Sequence, residues 1–209
     1  MKLAEVIGML KAAKNFEEIN YKRNEIAELI PDISRMFGYD QSNYAHPYDL
    51  WEHSVQTALN LEKHIDDDML YLAALLHDIG KPDCRIAGTK PEDTNFHYYG
   101  HPRRSMEIVR DRIIPKLGEK GEILSDDDKR RLLYYVEYHD DRVSLRLKHL
   151  RRHLNLGIGL EEFKKLMLLQ VADAKAHAML PIVEERIRIC TILSGEYADD
   201  LYERIVNGE

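Results

Sequence analysis

Several features that would narrow the function of a 209-residue chain are missing from this sequence. Cysteine is scarce: Cys84 and Cys190 stand alone, with no CxxC pair and no disulfide framework, which indicates a reducing interior. No apolar run approaches the roughly 18 residues that suggest a membrane span, and the N-terminal segment lacks a signal-peptide core. We therefore expect a cytoplasmic protein with no membrane partner.

An excess of positive charge is also missing. The formal net charge is −7, whereas a protein that coats nucleic acid usually presents a basic face. RNA is therefore possible as a partner but is not favoured. A small phosphorylated ligand, held by local charge and a metal ion, remains compatible with this composition.

The sequence also lacks the patterns that predict β-strands. We find no convincing alternation of apolar and polar residues, and the one Asn-Gly pair sits at the C-terminus. Helical periodicity dominates instead, and an apolar share of 44% is ample for a core. The sequence predicts an all-α helical bundle in one domain. We divide it into N-terminal helices (1–40) that pack on the core, a metal-binding core (41–180) and a C-terminal helical extension (181–209).

Helix start and stop signals predict about ten helices, including short ones. Asp49 and Glu52 have the spacing of a capping box, and Pro102 occupies the first-turn position that proline favours. A long polar loop is expected from Pro82 to Gly100. The predicted helices span approximately 3–13, 17–29, 49–64, 69–77, 102–117, 125–139, 142–153, 160–178 and 181–206.

The most informative feature that is present is the His77-Asp78 pair. It closes the segment MLYLAALL (69–76), which has no polar face and therefore predicts a buried helix. An unpaired buried charge costs several kcal/mol, and a bound cation is the simplest partner, favoured also by the carbonyls at the helix end. Gly80 fits a residue that ends the helix, and Pro82 prevents its continuation. Taken alone, the pair also fits a hydrogen-bonded couple.

Two further residues extend this pair into a ligand set. His53 lies in the first turns of the helix after Asp49, and Asp173 lies on an apolar helical face. Together with His77 and Asp78 they offer two imidazole nitrogens and two carboxylates from three helices. This is suitable chemistry for an open divalent-metal site. Imidazole-rich ligation favours Mn, Fe, Co, Ni or Zn over Mg or Ca.

At these positions the chain resembles the HD-domain metal-dependent phosphohydrolase superfamily. The resemblance rests on His53, on LAALLHDIGKP with its doublet and on Asp173, and it extends over about 44–177. FHYYGHPRRS and YYVEYHDD match the dinuclear members, in which two more histidines, here His101 and His139, hold a second metal. The resemblance thus implies one or two metal ions bridged by Asp78. Asp140 is an alternative to its neighbour His139.

A closer likeness is to the HD region of bacterial CCA-adding tRNA nucleotidyltransferases. The stretch GYDQSNYAHPYDLWEHS is similar to that family's Gly-x-x-Gln entry to the first ligand helix, and the tail ERIVNGE is similar to the end of its body region. This chain has no Gly-Gly-x-Val-Arg-Asp stretch and no paired aspartates of a polymerase palm. It therefore resembles the hydrolase part alone, and we do not expect nucleotide addition.

The resemblance implies hydrolysis of a nucleotide, a dinucleoside polyphosphate or a cyclic phosphodiester by a metal-bound hydroxide that attacks phosphorus. Asp78 would bridge the metals and orient the hydroxide. Lys81 would contact a phosphate oxygen as a second catalytic residue and substrate ligand. Arg103 and Arg104, at a helix start that favours anions, and His97 are further candidate substrate contacts.

Other interpretations remain open at this point. The chain could be a non-catalytic nucleotide-binding, RNA-binding or regulatory module, or a split polymerase subunit. The basic stretch 142–153 is either a solvated face or a phosphate or RNA contact. His46 is a candidate for the pocket mouth. The remaining histidines, expected at the surface or in capping positions, are His64, His149, His153 and His177.

Overall fold

A computed structural model describes residues 1–90 and 93–209, and helices account for most of them. The all-α class is confirmed. The α-helices are α1 (Leu3–Ala12), α2 (Phe16–Asn20), α3 (Arg23–Leu29), α4 (Leu50–Asn60), α5 (Asp68–Leu76), α6 (His101–Ile108), α7 (Ile114–Glu119), α8 (Asp126–Tyr138), α9 (Leu147–Leu154), α10 (Leu160–Ala174), α11 (Pro181–Leu193) and α12 (Glu196–Val206).

The boundaries differ from the sequence prediction in identifiable places. The expected helix 17–29 is divided near Tyr21, and the expected helix 181–206 is divided at Ser194-Gly195. Helix α4 ends at Asn60 because Leu61 is extended, with ψ of 141°, and the basic helix α9 begins only at Leu147.

The predicted polar loop 82–100 contains a small antiparallel pair of strands, β1 (Ile86–Ala87) and β2 (Phe96–His97). The expectation of no strand was therefore wrong for this loop. Two residues per strand are too few to produce an alternating pattern in a sequence.

Helix α5 lies at the centre of the bundle, between α4 and α8. All its residues from Met69 to Leu76 are buried, so the prediction of a buried helix is confirmed. Its start is fixed by Asp67, whose side chain accepts hydrogen bonds from the backbone N–H groups of Met69 and Leu70. The second carboxylate oxygen of Asp67 pairs with Arg131 at 3.0 Å and with Lys165 at 2.8 Å. These contacts neutralise a buried acid at the start of α5 and fix that end of the helix.

The terminal segments share one hydrophobic core with the central helices. Helix α1 packs against α4 and α5, α11 packs against α10, and α12 packs against α9. The apolar cluster is continuous from Leu3 to Leu201. A separate metal-binding core with boundaries at 41 and 180 therefore stays a prediction. Among the described residues, no helix combines the length and apolarity that crossing a membrane requires.

Candidate metal centre

Four of the predicted ligands converge at the C-terminal end of α5. The Nε2 atom of His53, on α4, lies 3.0 Å from Oδ1 of Asp173, on α10, and 3.3 Å from Oδ2 of Asp78. The Nε2 atom of His77 lies 3.2 Å from Oδ2 of Asp78 and 3.5 Å from Oδ1 of Asp173. All four side chains are buried. Three helices thus supply two imidazoles and two carboxylates to one point.

The other two predicted ligands meet the opposite oxygen of Asp78. The Nε2 atom of His101 lies 3.0 Å from Oδ1 of Asp78, and that of His139 lies 3.4 Å from it. The two histidine nitrogens are 3.2 Å apart. Asp78 therefore presents one oxygen to each of two groups of donors, which is the placement required of a carboxylate that bridges two cations.

Backbone carbonyls orient the histidine rings. The Nδ1 atoms of His77, His101 and His139 each lie 2.7–2.8 Å from the carbonyl oxygen three residues earlier. A carbonyl only accepts, so each Nδ1 carries the proton. In a neutral ring this leaves the Nε2 lone pair directed at the site, which is the usual arrangement of a metal-binding histidine.

Acceptor atoms crowd together in the resulting cluster. When the rings are neutral, Nε2 lone pairs and carboxylate oxygens face one another at 3.0–3.5 Å, and Oδ1 of Asp78 and Oδ1 of Asp173 are buried without a hydrogen bond. Buried charges need a partner. The donor types suit a divalent transition metal, so the residues present can hold one ion on each side of Asp78.

The pKa values of the same groups reflect this need for a positive partner. Burial opposes the charged form of His77, but the carboxylates of Asp78 and Asp173 outweigh it and raise the pKa of His77 to about 10. Burial raises the pKa values of the two aspartates, yet the neighbouring positive groups hold both well below the usual range. The carboxylates thus require a positive neighbour, either a proton on His77 or a cation.

Lys81 stands beside this cluster and is itself buried. Its ammonium lies 2.7 Å from Oδ2 of Asp78 and donates to Oε1 of Gln41 at 2.7 Å. Lys81 begins a short 3-10 turn (Lys81–Asp83) and borders the cavity in front of the aspartates. Its position allows the phosphate contact predicted from the sequence.

Gly80 is required for a reason that the sequence did not suggest. Its φ is −83°, so it is not a left-handed helix end. A Cβ at this position would lie 2.5 Å from the backbone nitrogen of Ser105, and the Gly80 N–H donates to the Ser105 hydroxyl at 2.9 Å. The glycine lets the start of α6 approach the turn that follows α5 closely. That approach brings His101 to the site.

A cavity of about 420 Å³ opens in front of Asp78 and Asp173. Lys81 and His97 border it, as the sequence suggested, but Arg103 and Arg104 are not among its lining residues. The Arg104 Nε atom donates to Asp83 at 2.8 Å and the Arg103 Nε atom to Glu107 at 3.4 Å, both outside the cavity. Their predicted substrate contact has no support in this arrangement, because the side chains lie along the outer face of α6.

The HD domain family matches residues 43–177, well over half of the chain. The chain belongs to the HD domain family. It is 33% identical over 95 residues to a multifunctional CCA protein of Thioalkalivibrio sulfidiphilus, covering 45% of this chain and 22% of that protein. It is 29% identical over 175 residues to an A-adding tRNA nucleotidyltransferase of Deinococcus radiodurans, covering 80% of this chain and 36% of the relative.

This chain therefore spans about a fifth to a third of the length of these relatives. The sequence-based assignment to an HD domain, similar to the HD region of CCA-adding enzymes, is confirmed. It places the chain in the superfamily of metal-dependent phosphohydrolases. The matched region includes all six predicted ligands.

Three further residues line the cavity beside the predicted ligands. His177 was expected at the surface, but it lines the cavity and its Nδ1 atom lies 2.9 Å from the Asp173 carbonyl oxygen. Its spacing of four from Asp173 was an available signal. His46 also lines the cavity, with its ring 4.4 Å from that of His177. Arg186, from α11, donates to the His139 carbonyl at 3.1 Å. No local sequence pattern indicated that Arg186 would line the cavity.

A second histidine cluster lies outside this cavity. His149 and His153 were expected at the surface or in capping positions, but both are buried, with 5% and 0% of their surface exposed. Their nitrogens and a carboxylate oxygen of Asp141 lie within 4.8 Å of one another. The sequence prediction was wrong here because α9 is strongly amphipathic, and its two histidines lie on the apolar face that packs against Phe163.

Proposed function

We propose that this HD domain is a metal-dependent phosphohydrolase acting on a nucleotide, a dinucleoside polyphosphate or a cyclic phosphodiester. One observation carries the proposal: each carboxylate oxygen of Asp78 faces its own pair of histidine nitrogens at 3.0–3.4 Å. A carboxylate between two such donor groups matches a site for two cations. Two-cation sites are characteristic of in-line displacement at phosphorus.

The residues around the cavity have distinct roles in this proposal. When bound, divalent ions supply activated water and stabilise charge on the phosphoryl oxygens. Asp78 lies between the two pairs of histidine nitrogens and presents one carboxylate oxygen to each pair. Lys81, buried beside Asp78, supplies a fixed positive charge for a phosphate oxygen. Arg186, which also lines the cavity and pairs with Asp140 at 3.3 Å, supplies a second cationic group.

The cavity mouth supports a nucleotide-type substrate. Tyr99 is 73% exposed, and its ring is stacked on His97 with centroids 5.5 Å apart and an interplanar angle of 4°. His97 is held in place by Asp93, whose oxygen lies 2.6 Å from Nε2. A flat aromatic surface beside a phosphate site suits a nucleic-acid base, which stacks on such rings. The Deinococcus radiodurans relative is named for an activity on tRNA, so an RNA end belongs among the substrates to test.

Hydrolysis is tested by incubating the purified chain and its Asp78→Asn variant with Mn²⁺ or Ni²⁺. The substrates are nucleotides, dinucleoside polyphosphates, cyclic phosphodiesters and a short RNA. We expect turnover by the unaltered chain, and a rate lower by about 10³-fold or more for Asp78→Asn, because several kcal/mol of metal-dependent stabilisation would be lost. Asp83→Asn is the matched control, since Asp83 pairs with Arg35 and Arg104 outside the cavity. Circular dichroism verifies that both variants retain their helices.

Two outcomes would contradict the proposal. One is the absence of turnover with any metal, and the other is equal activity of Asp78→Asn and the unaltered chain. Metal binding and nucleotide binding without turnover would favour the alternative function, a non-catalytic nucleotide-binding or regulatory module.

A further inference from the structure

A second cavity, of about 430 Å³, lies at the start of α9. We call it the basic cavity, because four of its seven lining residues are cations and none of those described is acidic. The cations are Arg142, Arg146, Lys148 and Arg152. The whole chain carries a net charge of −7. A local concentration of positive charge on an acidic protein creates a potential that attracts anions.

Three of these cations have no internal partner. Arg142, Arg146 and Lys148 are exposed, and within residues 1–90 and 93–209 none of them forms an ion pair or a side-chain hydrogen bond. Cations elsewhere on the surface are commonly neutralised within their own helix, as Arg188 is by Glu185 and Lys129 by Asp126. The charge in the basic cavity is therefore available to a ligand.

His149 provides an independent sign that the basic cavity receives a ligand. It borders the cavity yet is only 5% exposed. Neither ring nitrogen makes a hydrogen bond of good geometry, although the Ser144 backbone carbonyl lies close enough to favour the protonated ring. A buried polar group without a partner is destabilising. A ligand oxygen in the cavity would accept a hydrogen bond from this ring.

The charge of the ligand follows from the position of Arg152. His149 belongs to the second histidine cluster, whose three donors could hold a metal ion by spacing alone. However, the Arg152 guanidinium contacts the Asp141 carboxylate and lies 3.5 Å from Nε2 of His153. Arginine does not lose its proton in proteins, so a fixed cation already stands where a metal ion would bind. The surroundings therefore favour an anion.

We propose that the basic cavity is a phosphate-binding site distinct from the metal centre. Guanidinium groups match the geometry of phosphate oxygens, and three arginines and a lysine line one cavity together with the buried His149. The site lies near the metal centre: Arg142 is three residues after His139, so their Cα atoms are at most roughly 11 Å apart. The phosphate could belong to a nucleotide chain that also reaches the metal centre or to a free phosphate ion.

The test compares binding by the as-purified full chain and two variants. Arg146→Gln/Lys148→Gln removes two cations from the cavity, and His149→Phe removes the buried donor while keeping an aromatic ring beside Phe163. Lys14→Gln/Arg188→Gln removes the same charge elsewhere and is the matched control. Calorimetry measures binding of inorganic phosphate. Fluorescence anisotropy measures binding of a labelled single-stranded RNA at several salt concentrations.

We expect the double cavity variant to bind inorganic phosphate about tenfold more weakly, because charge-assisted hydrogen bonds are lost, and His149→Phe to bind it several-fold more weakly. If the phosphate belongs to RNA, the slope of log K against log salt should become smaller by about 1.4 in the double variant, since two phosphate contacts are removed. If RNA binding is unchanged and phosphate binding falls, the ligand is a free phosphate ion.

The proposal is overturned if the unaltered chain binds neither probe, if the cavity variants bind both as well as the unaltered chain does, or if the control loses as much affinity as the cavity variants. If phosphate binds only at the metal centre, the cavity variants will bind it as well as the unaltered chain does. Because binding is measured rather than turnover, a negative result would leave the proposed hydrolysis standing.

Discussion

The metal centre and the second histidine cluster contain the same kinds of side chain, but their surroundings differ in charge. Both combine buried histidine nitrogens with carboxylate oxygens at less than 5 Å, although Asp141 of the second cluster is only partly buried. At the metal centre two aspartates raise the pKa of His77 to about 10 in spite of burial. At the second cluster burial and the neighbouring cation Arg152 lower the pKa of His153 to about 4.

Ligand types at a suitable spacing therefore do not by themselves define a metal site. The metal centre has two buried carboxylates and only one fixed cation, Lys81, so it needs a further positive charge, either from a proton on His77 or from a metal ion. The second cluster has one carboxylate, Asp141, which already contacts Arg152. A divalent ion would relieve repulsion in the first place and create it in the second.

The largest expected effect that tests this comparison is on metal content. Replacing His77 by Gln should lower the affinity for Mn²⁺ or Ni²⁺ by more than about 100-fold, since changes to outer-shell partners alone cost 10–100-fold. The matched change His153→Gln should leave metal content unaltered. Elemental analysis of the purified proteins, followed by titration of metal-depleted samples, measures both. Equal metal loss in the two variants would show that both clusters bind metal, which contradicts the comparison.

The second prediction concerns the stability of the second cluster at different pH values. Burial and the nearby His153 lower the pKa of His149 from 6.5 to about 4. The unfolded chain therefore binds more protons between these values, and the stability that neutral His149 contributes is present above pH 6.5 and is lost as the pH falls toward 4. The loss between pH 7 and pH 5 should be smaller in His149→Phe by roughly 2 kcal/mol.

Urea unfolding at the two pH values measures this difference. His64→Phe is the control for the substitution itself, because the His64 side chain is 80% exposed and lies outside the second histidine cluster. A His149→Phe variant that loses as much stability on acidification as the unaltered chain would contradict the neutral, buried state of this ring.

The same contrast explains which parts of the site could be predicted from sequence. The apolar segment 69–76 required a buried helix, and the doublet at its end required a partner, so α5 and the need for a positive neighbour at its end followed from local chemistry. Asp173 was found because its helical face is apolar. Each of these inferences needed only residues within one or two turns of the residue concerned. His101 and His139 were proposed only from the family resemblance.

Features that depend on contacts between distant elements were not predicted. Arg186 reaches the cavity because α11 packs on α10, and Gly80 is needed because α6 lies against it. The burial of His149 and His153 was missed because charged neighbours on α9 suggested a solvated face, while the apolar face depends on Phe163 of another helix. The charge balance that separates the two histidine clusters likewise exists only in three dimensions.

The smallest expected effect comes from removing the cation that separates the two clusters. Arg152→Gln leaves Asp141, His149 and His153 in place, a donor set that Zn²⁺ accepts, and removes the positive charge 3.5 Å from His153 Nε2. Like charges at about 4 Å repel by roughly 4 kcal/mol near a protein surface, so weak Zn²⁺ binding should appear at this cluster. Ultrafiltration with elemental analysis, after the metal centre is saturated, would detect about one additional equivalent at high Zn²⁺.

The neighbouring cation Arg151 provides the control, since it makes no contact with the three donors in the described structure. Affinity should remain low even in Arg152→Gln, because Arg142, Arg146 and Lys148 still surround the basic cavity. If Arg151→Gln and Arg152→Gln bind the same amount of Zn²⁺, the positive charge of Arg152 is not what excludes a metal ion from the second cluster. If only Arg152→Gln binds the additional ion, one guanidinium is what excludes a metal ion from the second histidine cluster.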